Sequence, residues 1–148
     1  MEKPNAPKEL HDPIASRLGY LLRRASATMM ADLGEALGAV GLRPVEGTIL
    51  ILVGANPGCI QSELGRALGI KRANMVPLVA GLTAQDYLEK SPVDGRSFAL
   101  SLTPRGEKAR ARVDEIMDAH EAGFARLLAD MDQQQLRTAL SLIANGRD

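Results

Sequence analysis

The chain has 148 residues, with 18 Lys or Arg against 18 Asp or Glu, no Trp and a single cysteine, Cys59. This length suits one domain, or a small module fused to helices that need a partner. A lone cysteine excludes an internal disulfide, no apolar run approaches the roughly 18 residues of a membrane helix, and the polar N-terminus lacks the apolar core of a secretion signal.

The expected compartment is therefore the cytoplasm. Zero net charge does not exclude nucleic acid, because phosphate contact depends on the charge at the docking face. Residues 60 to 110 carry eight cations against five carboxylates, whereas residues 111 to 148 carry four against seven.

In chain order, the first dozen residues are polar and read as a loose arm. Apolar residues then recur at Ile14, Leu18, Leu21 or Leu22, Ala25, Met29, Leu33 and Leu37. Spacings of three and four predict a helix from Pro13 to about Leu37, with Pro13 in its first turn and Asp12 as its cap. Gly38 and Gly41 mark a break. Arg43 to Val53 is rich in Ile and Val, so local propensity alone permits a strand. The following turn and the whole pattern predict a helix.

Asn56, Pro57 and Gly58 form a turn. Gln61 to Leu68 reads as a short helix with Leu64, Ala67 and Leu68 inward, Gly69 as a left-handed turn residue, and Ile70 as the anchor of that turn. A second helix follows from Arg72 to about Leu82, burying Val76, Val79 and Leu82, with Pro77 in tension with it. Leu88 to Ser91 and Ser97 to Leu102 read as two strands joined through Asp94-Gly95. Thr103 and Pro104 open a long helix to about Ala129. Its apolar positions include Val113, Ile116, Met117, Phe124, Leu127 and Leu128. Asp132 with Gln135 caps a last helix carrying Leu136, Leu140 and Ile143.

The expected fold is mainly α with a small β-hairpin wing. A winged helix-turn-helix spans 43–103, and helical dimerisation regions flank it at 12–37 and 104–146. Two amphipathic regions without partners in a short chain are buried most economically against a second copy. A homodimer would set two reading helices about 34–36 Å apart, which predicts a palindromic operator in double-stranded DNA.

This order of elements resembles the MarR family of bacterial winged-helix transcriptional regulators. The specific segments are PGCIQSELGRALGI at 57–70, KRANMVPLVAGL after it, and DGRSFALSLTPRG at 94–106. The resemblance implies dimerisation through the outer helices, a second motif helix in the major groove, and a wing on the backbone or minor groove. It also implies release by small aromatic or phenolic acids, or related thioesters. The chain departs from the family pattern at Asp86, where Gly is common, and in a short wing with one arginine, Arg96.

Within the motif, Arg72 and Asn74 suit guanine and adenine edges respectively. Ala73 and Met75 suit a thymine methyl, although Met75 fits equally inside the module. Gln61, Ser62, Arg66 and Lys71 suit phosphates, with Ser62 also able to cap its own helix. Arg96 suits a narrow minor groove. For an effector, Arg17 offers a partner to a carboxylate and Tyr20 to a phenolic oxygen, with His11 beside them.

An enzyme is not indicated. His11 and His120 are the only histidines, no HExxH or Cys/His cluster is present, and the glycines lack phosphate-cradling spacing. No cofactor or metal is expected. Two further readings stay open: redox sensing through Cys59, whose place at a helix start would lower its pKa, and a dimeric protein-interaction module without DNA binding.

Overall fold

The computed structural model describes residues 9–146, so most of the expected N-terminal arm lies outside the described residues. Among them the order is α1 (Leu18–Gly38), α2 (Pro44–Ala55), β1 (Cys59–Ile60), α3 (Gln61–Leu68), α4 (Arg72–Ala84), β2 (Leu88–Pro92), β3 (Phe98–Leu102), α5 (Pro104–Leu127) and α6 (Gln133–Asn145). The fold is mainly helical with a small antiparallel wing, as expected.

The first helix starts later than its periodicity predicts. Asp12 does cap, but what it caps is a turn: its Oδ1 accepts the Ile14 N–H at 3.1 Å, and the Arg17 N–H donates to the Ile14 carbonyl at 2.9 Å. The fixed φ of Pro13 serves a turn as well as a helix start. The apolar run 48–53 is helical. Pro44 begins α2, and the buried Glu46 accepts from the Arg43 backbone N–H at 2.9 Å and its side-chain Nε at 3.0 Å. Ile49, Leu50 and Val53 of α2 enter one core with Leu33 and Leu37 of α1 and Val113 of α5.

Gly69 takes φ 65°, the left-handed conformation the turn needs, and the Ile70 N–H donates to the Gly65 carbonyl at 2.9 Å. At Gly65 a Cβ would stand 2.9 Å from the Ile70 carbonyl and 3.3 Å from Met75 Cγ. This notch receives Met75 and thereby sets the rotation of α4. The buried stripe is Met75, Val79 and Leu82, so Val76, expected inside, is 49% exposed. Ala67 is likewise exposed. Pro77 does not break α4. Its missing N–H removes the helical bond to the Ala73 carbonyl.

The sheet order is β1-β3-β2, all antiparallel, with Cys59 opposite Leu100 and Lys90 also aligned with Leu100. Cys59 is therefore in a strand and not at a helix start. The tip is longer than a two-residue turn: Val93 N–H donates to the Ser97 carbonyl at 3.1 Å. Inside this loop Asp94 Oδ1 accepts from the Arg96 and Ser97 N–H groups, both at 2.9 Å. Asp86 adopts φ 63° just before β2. Aspartate tolerates that region better than most residues, which explains how it stands where glycine is common.

Thr103 caps α5 as expected, accepting the Gly106 N–H at 3.0 Å while its hydroxyl donates to the Asp86 carbonyl. Asp132 caps α6 through the Gln135 N–H at 3.0 Å. No residue of α6 is buried. Leu140, Leu142 and Ile143 on it, with Leu18 and Leu21 on α1 and Leu127 on α5, present apolar side chains to solvent.

Candidate nucleic-acid interface

Between α3, α4 and the wing lies a groove of about 690 Å³. It brings together Gln61, Ser62 and Arg66 from α3, Arg72, Met75 and Val76 from α4, and Lys90, Arg96 and Phe98 from the wing. Four cations line it and no carboxylate does. Among the described residues, none of Arg66, Arg72, Lys90 and Arg96 takes part in a salt bridge. A concave surface with one sign of charge focuses its field outward. Such a surface suits a polyanion.

Each element has a local reason for its placement. Glu63 Oε2 accepts the Ile60 N–H at 2.9 Å and fixes the start of α3. Lys71 is the N-cap of α4 and makes no side-chain cap bond. The Asn74 N–H donates to the Lys71 carbonyl at 2.9 Å, which leaves the Arg72 and Ala73 N–H groups for a phosphate oxygen to accept from. Arg96 is carried by the loop that Asp94 closes. Two backbone donors, Arg96 first and then Ser97, hold the Asp94 carboxyl below the usual carboxylate range.

Gln61, Ser62, Arg66, Arg72 and Arg96 thus share one groove, while Lys71, Ala73 and Asn74 are exposed beside it at the start of α4. Met75 is different. It is 1% exposed and forms the buried floor, so its side chain is unavailable to a base and Ala73 remains as the apolar group of that turn. The sequence reading missed Lys90 and Phe98, whose Nζ and ring centroid are 5.8 Å apart.

The expected effector residues His11, Arg17 and Tyr20 do not line this groove. His11 and Arg17 are exposed, and Tyr20 is half-buried with its hydroxyl donating to Asp12 Oδ2 at 3.3 Å and the Arg24 guanidinium carbon 5.9 Å from its ring centroid. A second cleft of about 530 Å³ is lined instead by Val40, Tyr87, Pro104, Arg105, Lys108 and Ala109. Arg105 stacks on Tyr87 there, 4.8 Å from the ring centroid.

Residues 40–97, from just before α2 through β2 and the loop that follows it, match the MarR family model. The transcriptional repressor CouR bound to a 23-mer DNA duplex is 33% identical, with a TM-score of 0.85 over 93% of this chain and 99% of that one. The chain belongs to the MarR family. CouR bound to p-coumaroyl-CoA is similar at 30% identity and a TM-score of 0.85, covering 94% of this chain and all of that one. The HTH-type transcriptional repressor Rv2887 of Mycobacterium tuberculosis (strain ATCC 25618 / H37Rv) is 26% identical over 130 residues, 86% of this chain and 94% of that protein. As a MarR protein the chain is a DNA-binding transcriptional regulator of winged helix-turn-helix type.

Among the described residues no group of His, Cys, Asp and Glu could hold a metal ion, and no helix is long and apolar enough to cross a membrane. Cys59 is half-buried. Burial first, then the Glu63 carboxylate, push its thiol pKa up, opposite to the shift expected from a helix start.

Proposed function

We propose that this MarR protein is a homodimeric repressor that leaves its operator when a small aromatic acid or its CoA thioester binds. The observation that carries the DNA half of the reading is the carboxylate-free groove holding Arg66, Arg72, Lys90 and Arg96. Arg72 and Asn74 read bases from the start of α4; Gln61, Ser62, Arg66 and Lys71 hold phosphates; Arg96 enters the minor groove. The groove also favours this reading over a protein-interaction module without DNA.

The dimer rests on α6. An isolated helix of 13 residues is marginal in water, and the exposed Leu140, Leu142 and Ile143 need cover that a second copy supplies. The flanking regions 12–37 and 104–146 are then the dimerisation part, and 43–103 the reading part. Two copies present two α4 helices to a palindrome.

The effector half rests on the relatives bound to p-coumaroyl-CoA and, at 26% identity, to salicylic acid. Arg17, Tyr20 and His11 stand on α1 or just before it, where a second copy can complete a pocket. Release is noncovalent: a ligand that prefers the dimer whose α4 spacing mismatches the operator lowers DNA affinity by that preference and no more. A hundredfold loss of affinity needs about 2.7 kcal/mol of coupling.

The test is an anisotropy titration against the DNA flanking the protein's own gene, repeated with benzoates, hydroxycinnamates and their CoA thioesters. Sequence-selective binding that one ligand class reverses is expected. Binding that no sequence improves on, or that no member of the panel weakens, would contradict the respective half.

A further inference from the structure

The exposed face of α4 runs out of hydrogen-bonding side chains after its first turn. Beyond Asn74 the next polar side chain is Thr83, whose hydroxyl donates to the Val79 carbonyl of its own helix at 2.8 Å. The exposed residues between them are Val76, Pro77 and Ala80. A helix that reads DNA with such a face has only van der Waals contact to offer past Asn74.

The major groove contains one apolar feature that differs between bases, the C5-methyl of thymine. Val76 is the largest side chain placed to meet it. It lies one turn after Arg72, on the same side of α4, and both line the groove between α3 and the wing. Its rotation outward is enforced from within, because Met75 fills the Gly65 notch.

We infer that Val76 is a specificity-determining residue that selects a thymine in each operator half-site by contact with its methyl group. This rests on the DNA-reading role of α4 proposed above. Arg72 or Asn74 specifies a neighbouring base by hydrogen bonds, and Val76 extends the readout one turn along the helix by exclusion of water from the methyl.

Deoxyuridine tests the contact, since it removes only the methyl and keeps the O4 acceptor. Duplexes enriched by the wild-type protein from a randomised library are resynthesised with deoxyuridine replacing thymidine at one position at a time. At one thymine of each half-site, the wild type is expected to lose about fourfold in affinity. V76A binds the thymine duplex about fourfold more weakly and is indifferent to the methyl.

An enriched half-site that requires no thymine, a wild type indifferent to every replacement, or a V76A that keeps the penalty would each overturn the contact while leaving DNA binding intact. A wild type that enriches no sequence overturns the role of α4 itself, and this contact with it.

Discussion

Asp32 Oδ2 on α1 stands 2.7 Å from Nδ1 of His120 on α5, whose ring meets Phe124 edge-on at 5.0 Å between centroids. The histidine is buried and the carboxylate is largely exposed. The pair therefore pins the long helix to the first helix. Replacing His120 by Ala removes both the ring packing and the polar partner, and is expected to cost about 1–3 kcal/mol. Asp32→Asn keeps an acceptor and should cost less than about 1 kcal/mol. Urea unfolding at one fixed protein concentration measures both, since dimer stability depends on concentration.

Gly106 lets the start of α5 lie directly against the backbone of Tyr87. A Cβ at this position would collide with the Tyr87 carbonyl oxygen, a backbone atom that cannot swing away. Gly106→Ala is expected to destabilise by about 2–3 kcal/mol through overpacking. Thermal unfolding of this variant beside Gly123→Ala, where nothing lies near a new Cβ, separates collision from helix propensity.

The wing tip should respond to acid. Folding lowers the Asp94 pKa through its two backbone donors, so this contribution is present above the ordinary aspartate pKa. It is lost as pH falls through the lower folded value. Once the intrinsic pH dependence of exchange is divided out, protection of the Arg96 and Ser97 amides is expected to fall over that acidic window and to be low at neutral pH in Asp94→Ala. The variant should also bind DNA more weakly at neutral pH, read by anisotropy, with its helical circular dichroism unchanged.

Cys59 sits where its thiolate is disfavoured. The thiolate is the reactive form, and both burial and Glu63 disfavour it. Cys59→Ser is expected to leave DNA affinity and effector response unaltered, and peroxide should not release the wild-type protein. Peroxide release that disappears in Cys59→Ser would restore the redox reading.

The elements that repeat over several turns were legible in the sequence, as were caps and turns with dedicated chemistry: Thr103, Asp132 and Gly69 each do what their residue type predicts. What periodicity could not supply was rotation. Val76, Val79 and Leu82 satisfy helical spacing as well as Met75, Val79 and Leu82 do, and only the notch at Gly65, on a different helix, decides between them. The strand Cys59–Ile60 is too short to show alternation and exists because β3 pairs with it. Asp12 and Pro13 are equally good signals for a turn and for a helix start, and the chain uses them for the turn. Of the groove, the helix-turn-helix side was readable. Lys90 and Phe98 come together only when β2 and β3 pair.

Hydroxyl-radical footprinting on a duplex enriched by the protein tests the central claim most directly, because it reports both α4 helices at once. Two protected half-sites related by a dyad and centred about 10–10.5 base pairs apart are expected, with protection in both halves lost together in Arg72→Ala. A single protected half-site, or a footprint that Arg72→Ala and Asn74→Ala leave unchanged, would contradict it.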